Sequence, residues 1–86
     1  MTYTVVWAVP AILRLSQVEQ SSDDPAAVRS AANRIDYALR RTPHDMGESR
    51  EEGWRLWYED VLGVRYFIND AKLRVEVFFV GPSRRR

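Results

Sequence analysis

The stretch WRLWYEDVLGVRYFINDAKLRVEVFFV, residues 54–80, decides the fold. It holds three runs, WRLWYE (54–59), LGVRYFI (62–68) and LRVEVFFV (73–80), each rich in the β-branched and aromatic residues that fit a pleated surface. The connections between them, DV and NDAK, are short enough for hairpins, so the three runs are read as an antiparallel meander. An arginine, Arg65, stands in the middle strand among Val64, Tyr66, Phe67 and Ile68.

Before the meander the periodicity changes. TYTVVWA (2–8) alternates, with Tyr3, Val5 and Trp7 on one face, and reads as a first strand. From Pro10 onward Ala11, Ile12, Leu15 and Val18 recur at helical spacing, with Pro10 in the first turn. SSDDP (21–25) ends that helix and starts a second, with Asp24 as N-cap and Pro25 at N1. Val28, Ala32, Ile35 and Leu39 form the apolar stripe of the second helix. Pro43 stops it, and HDMGESREEG (44–53) reads as a polar loop.

The order β-α-α-β-β-β predicts a two-layer α+β domain spanning residues 1–86, with a helical hairpin packed on a largely antiparallel four-stranded sheet. One sheet face then meets the helices and the other does not. Period-two alternation assigns Trp54, Leu56, Tyr58, Val64, Tyr66, Ile68, Leu73, Val75, Val77 and Phe79 to the helix side. It leaves Arg55, Arg65 and Arg74 on the outer face, interleaved with Trp57, Phe67 and Phe78 and accompanied by Glu59, Glu76 and Val80. Such a face fits unpaired nucleic acid, with arginines for phosphates and rings for bases. It equally fits a protein partner on the aromatic patch, or a solvated face of cross-strand Arg–Glu pairs.

Composition narrows the classes. The chain has 86 residues, 45% of them hydrophobic, and no cysteine, so disulfide frameworks, zinc thiolates and cysteine nucleophiles are excluded. The net charge is only +1, but residues 50–86 carry 8 basic and 6 acidic side chains against 5 and 6 in residues 1–49. Twelve of the 13 basic residues are arginine, the side chain suited to bidentate phosphate contact and ring stacking. The longest apolar run, VVWAVPAIL, is about half the roughly 20 residues that span a bilayer, and no basic segment precedes it. No membrane association and a cytoplasmic location are therefore expected. His44 and the GESREEG loop with Arg50 read as solvated surface, with Arg50 at the rim of the outer face as the functional alternative.

Taken together, YTVVWAVPAILRL, the helical hairpin, the meander and the tail GPSRRR resemble the RelE/ParE superfamily of bacterial type II toxins over essentially the whole chain. RelE-like members cut mRNA in the ribosomal A site, and ParE-like members poison DNA gyrase. The resemblance implies a cognate antitoxin as partner. It also implies an mRNA endoribonuclease acting on the ribosome without metal or small-molecule cofactor, with gyrase inhibition or a noncatalytic binding module as alternatives. Arg65 matches the strand arginine at the scissile phosphate, Arg55 the preceding strand of the same groove, and Arg84 or Arg85 the basic residue after the last strand. Arg50, Arg74, Trp57, Phe67, Phe78, Arg85 and Arg86 are the implied RNA contacts. Where many RNA-cleaving members carry a Tyr or His after the final strand, this sequence has arginines, so Glu59 and Glu76 are the candidate bases.

Overall fold

The spacing of Val28, Ala32, Ile35 and Leu39 sets the helical layer. All four are buried on one side of α2 (Pro25–Arg41), which starts where expected: the Asp24 carboxylate accepts the Ala27 N–H at 3.1 Å and Pro25 opens the first turn. Before it run β1 (Thr4–Trp7) and α1 (Val9–Ser21), which buries Ala11 and Val18, and Arg29 of α2 pairs with Glu19 of α1. The computed structural model describes residues 2–83. Arg84, matched above to the basic residue after the last strand, and Arg85 and Arg86, named as RNA contacts, lie outside the described residues.

After α2 a single 3-10 turn (Pro43–Asp45) leads to β2 (Glu48–Ser49), β3 (Trp54–Glu59), β4 (Leu62–Asn69) and β5 (Arg74–Pro82). The sheet order is β1-β5-β4-β3-β2, antiparallel except for β1, which runs parallel to β5. The sheet thus has five strands and not four. The extra one, β2, lies in the stretch read as a loop, because two residues are too short for alternation to register. Leu73 also departs from the expected strand: it adopts a left-handed φ of 49°, closes the β4–β5 turn and leaves β5 to start at Arg74.

The two helices pack on one sheet face, where Val5, Leu62, Val64, Tyr66, Ile68, Val75, Val77 and Val80 join the helical stripe in one core. Tyr66 is the largest fully buried side chain. Its hydroxyl lies 2.8 Å from the Pro43 carbonyl oxygen and 3.0 Å from that of Met46, and burial pushes its pKa up to about 12, with the nearby Arg55 opposing. No helix among the described residues is long and apolar enough to cross a membrane.

Candidate functional site

Hairpin register decides what the uncovered face carries. Asp60 and Val61 form a two-residue loop, so Glu59 pairs with Leu62 and, counting back, Tyr58 with Gly63, Leu56 with Arg65 and Trp54 with Phe67. Directly paired residues share a face. Trp54, Leu56 and Tyr58 therefore stand on the outer face beside Arg65, not in the core as alternation suggested.

The same register corrects Arg55, Trp57 and Glu59, which pair with the buried side of β4 and face the helices. Arg55 Nε donates to the Met46 carbonyl at 2.8 Å and its Nη2 to that of Gly47 at 3.2 Å, holding the segment that leads into β2. Trp57 packs against the core. Glu59 accepts from Arg34 of α2 at 2.8 Å. These three lie on the opposite side of the sheet from Arg65, so they do not join its site.

A bulge corrects the last strand. Arg65 pairs with Phe79 and Tyr66 with Val77, which leaves Phe78 as an extra residue and reverses the phase beyond it. Val80 turns into the core and Phe79, 59% exposed, turns out beside Arg65. Arg74 and Glu76, on the near side of the bulge, keep the outer-face positions expected of them, opposite Asn69 and Phe67.

Arg65 is thereby placed in an aromatic setting. Its guanidinium carbon lies 5.2 Å from the Trp54 ring centroid and 5.9 Å from that of Phe79, within cation–π range. Trp54 in turn meets Phe67 edge-on at 5.4 Å and Phe78 at 5.1 Å. Phe67 and Phe78 thus support the platform from behind. Arg65 Nε is buried, and no described residue accepts a hydrogen bond from it. The carboxylate that approaches is Glu51, in the β2–β3 loop, 3.9 Å from Nη2 and largely exposed. Arg50 of that loop pairs instead with Glu48 at the sheet edge, 3.2 Å away.

A second polar group lies where the β4–β5 turn meets the 3-10 turn and the start of β1. Asp70 Oδ1 accepts from the Tyr3 hydroxyl at 2.7 Å and lies 2.8 Å from His44 Nε2. The bond to His44, then that from Tyr3, holds the Asp70 carboxyl below its ordinary range. The bond to Asp70 raises the Tyr3 hydroxyl. His44 is a surface histidine, as the sequence suggested, and is tied to a carboxylate. Among the described residues no three His, Cys, Asp or Glu side chains gather as a metal site.

Sequence reasoning missed Trp54, Tyr58, Phe79 and Glu51. The first two were accessible by counting outward from the two-residue loop, and the FF pair at 78–79 marked where alternation fails. Glu51, in a loop that folds back on the sheet, left no such signal.

Three solved structures are similar to the whole chain. A chain of the toxin–antitoxin complex RelBE2 from Mycobacterium tuberculosis matches with 20% identity and a TM-score of 0.79, over 99% of this chain and 95% of that one. A chain of the chromosomal ParDE TA system from P. aeruginosa matches with 11% identity and a TM-score of 0.74, over 95% and 97%. The isolated E. coli RelE toxin matches with 14% identity and a TM-score of 0.62, over 98% and 87%. No protein-family model and no curated protein sequence matches. The chain has the fold of the RelE and ParE toxins.

Proposed function

We propose that this chain is the toxin of a toxin–antitoxin pair and acts on RNA at the ribosome, with Arg65 as the cation that receives the phosphate. The observation that carries the reading is the Arg65 guanidinium itself, set between Trp54 and Phe79 on the sheet face the helices leave uncovered. A guanidinium whose Nε has no acceptor, on a side chain 42% exposed, suits a charged acceptor of several oxygens better than the single distant carboxylate of Glu51.

The chemistry follows from these groups. A ribose 2′-OH attacks the adjacent phosphorus, the bond from phosphorus to the 5′ oxygen breaks, and a 2′,3′-cyclic phosphate and a 5′-OH result. Arg65 neutralises the charge that builds on the non-bridging oxygens. Glu51 replaces Glu59 and Glu76 as the base for the 2′-OH, since it is the carboxylate facing Arg65. The leaving oxygen takes its proton from water. Arg74 adds positive charge further along the same face.

A cognate antitoxin as partner is supported by the likeness to chains of RelBE2 and ParDE. The TM-score of 0.74 to the ParDE chain also favours a second reading, inhibition of DNA gyrase. Pulse labelling of bacteria after induction separates the two. A prompt fall in methionine incorporation, absent with Arg65→Ala, supports the RNA-directed toxin. A fall in thymidine incorporation first would instead establish gyrase as the target, and no fall in either would overturn both readings.

A further inference from the structure

Beside Arg65 the outer face carries a strip without side chains. Gly63 and Gly81 pair directly across β4 and β5, and both point outward because their neighbours Val64 and Val80 are buried. Glycine inside a strand marks a place where a ligand can approach the backbone closely. The two positions differ. A Cβ on Gly63 would strike the Tyr58 ring at 2.8 Å, so that ring lies down over Gly63 and forms a wall. A Cβ on Gly81 would meet nothing within 4 Å, so the floor there is open.

The result is a slot over Gly81, bounded by Tyr58, Phe79 and Pro82 and ending at Arg65. Both rings are exposed, Tyr58 at 47% and Phe79 at 59%. Among the residues that line it there is one charged side chain, Arg65, and no carboxylate. Gly81 stands two positions along β5 from Phe79, the partner of Arg65, roughly 7 Å of strand. A flat, apolar, π-walled space with a single cation at one end matches a planar ring joined to a phosphate through a short linker.

We infer that the slot receives an unpaired nucleobase of the RNA strand whose phosphate Arg65 holds. This rests on the RNA-directed reading and adds a base subsite to it, formed by Tyr58, Phe79 and the open floor at Gly81. Stacking of this kind is tolerant of base identity, so the slot adds affinity and register more than sequence choice.

The test is fluorescence anisotropy with labelled hexaadenylate RNA and with an abasic ribose-phosphate oligomer of the same length. The wild type should bind hexaadenylate at least about tenfold more tightly than the abasic oligomer. Gly81→Leu fills open space at a position whose backbone accepts a side chain, and should bring hexaadenylate to the abasic level while leaving abasic binding unchanged. Tyr58→Leu, an exposed substitution, should reduce the same ratio, which covers the case in which Gly81→Leu does not fold. Equal binding of the two oligomers by the wild type, or a ratio untouched in both variants, overturns the base subsite while Arg65-dependent binding would still stand. Binding of neither oligomer would remove the RNA-directed reading and the subsite with it.

Discussion

The Arg65 guanidinium lies 5.2 Å from the ring centroid of Trp54, its diagonal neighbour across β3 and β4. The contact fixes the plane of the guanidinium, and Phe67 and Phe78 fix the plane of the indole. Trp54→Leu keeps an apolar side chain but removes the ring. Toxicity or translation inhibition in a cell-free system should fall by about tenfold, the scale of a cation–π contact of 0.5–2 kcal/mol. Arg65→Lys, which keeps the charge but not the planar fork, should fall at least as far. Full activity in Arg65→Lys would mean that charge alone suffices.

Arg55 and Trp57 should behave in the opposite way. Arg55→Met withdraws a charged donor from the Met46 and Gly47 carbonyl oxygens and should cost about 1–3 kcal/mol in urea unfolding. Trp57→Ala should cost about 2 kcal/mol, below the roughly 3–5 of a fully buried aromatic, because Trp57 is only half-buried. Activity per folded molecule should be unchanged in both. Arg74→Ala, exposed on the outer face, should shift stability by no more than about 0.5 kcal/mol.

That contrast shows where the sequence was readable. Helix boundaries were, because Asp24, Pro25 and Pro43 act locally and the stripe from Val28 to Leu39 has one period only. The antiparallel meander was, because its turns are short. The faces of β3 were not, since WRLWYE has apolar residues in both phases and alternation alone cannot choose between them. The Asp60–Val61 loop makes that choice, through hydrogen-bonded register and not through hydrophobicity. Phe79 was misplaced for a different reason: a one-residue bulge at Phe78 reverses every side chain beyond it. Arg65 itself was placed correctly because β4 alternates without interruption, burying Leu62, Val64, Tyr66 and Ile68.

Tyr66→Phe should destabilise the fold by about 1–3 kcal/mol, since the hydroxyl serves the buried end of the 3-10 turn at Pro43. Its alkaline behaviour has a definite sign. A folded pKa near 12 against an ordinary 10 favours the neutral hydroxyl in the native state, so the stabilisation is complete below pH 10 and lost as pH rises towards 12. Unfolding titrations should show that limb weakened in Tyr66→Phe.

At the other end of the scale, Asp70 has a lowered pKa, through His44 first and Tyr3 second. Its contribution is therefore present above the unfolded carboxyl value, about 3.9, and disappears as pH falls through the lower folded value. Asp70→Asn should be less stable than the wild type at pH 6, and the difference should close on acidification. A difference that stays constant down to pH 2 would remove the ionised carboxylate as its source.

Gly53 closes the account of the Arg65 platform from beneath. Its φ is 84°, a conformation that side chains rarely adopt, and a Cβ there would come within 2.4 Å of the Phe67 ring. Gly53→Ala therefore carries two costs, about 1 kcal/mol for the backbone and a further steric cost against Phe67. The two can be separated. In a Phe67→Ala background only the backbone cost should remain, so the double-mutant cycle should return a coupling of about 1 kcal/mol or more. Because Phe67 supports Trp54 and Trp54 supports Arg65, Gly53→Ala should also lower activity per folded molecule. A Gly53→Ala protein with lost stability but unchanged specific activity would mean that the Phe67 ring does not transmit its position to Arg65.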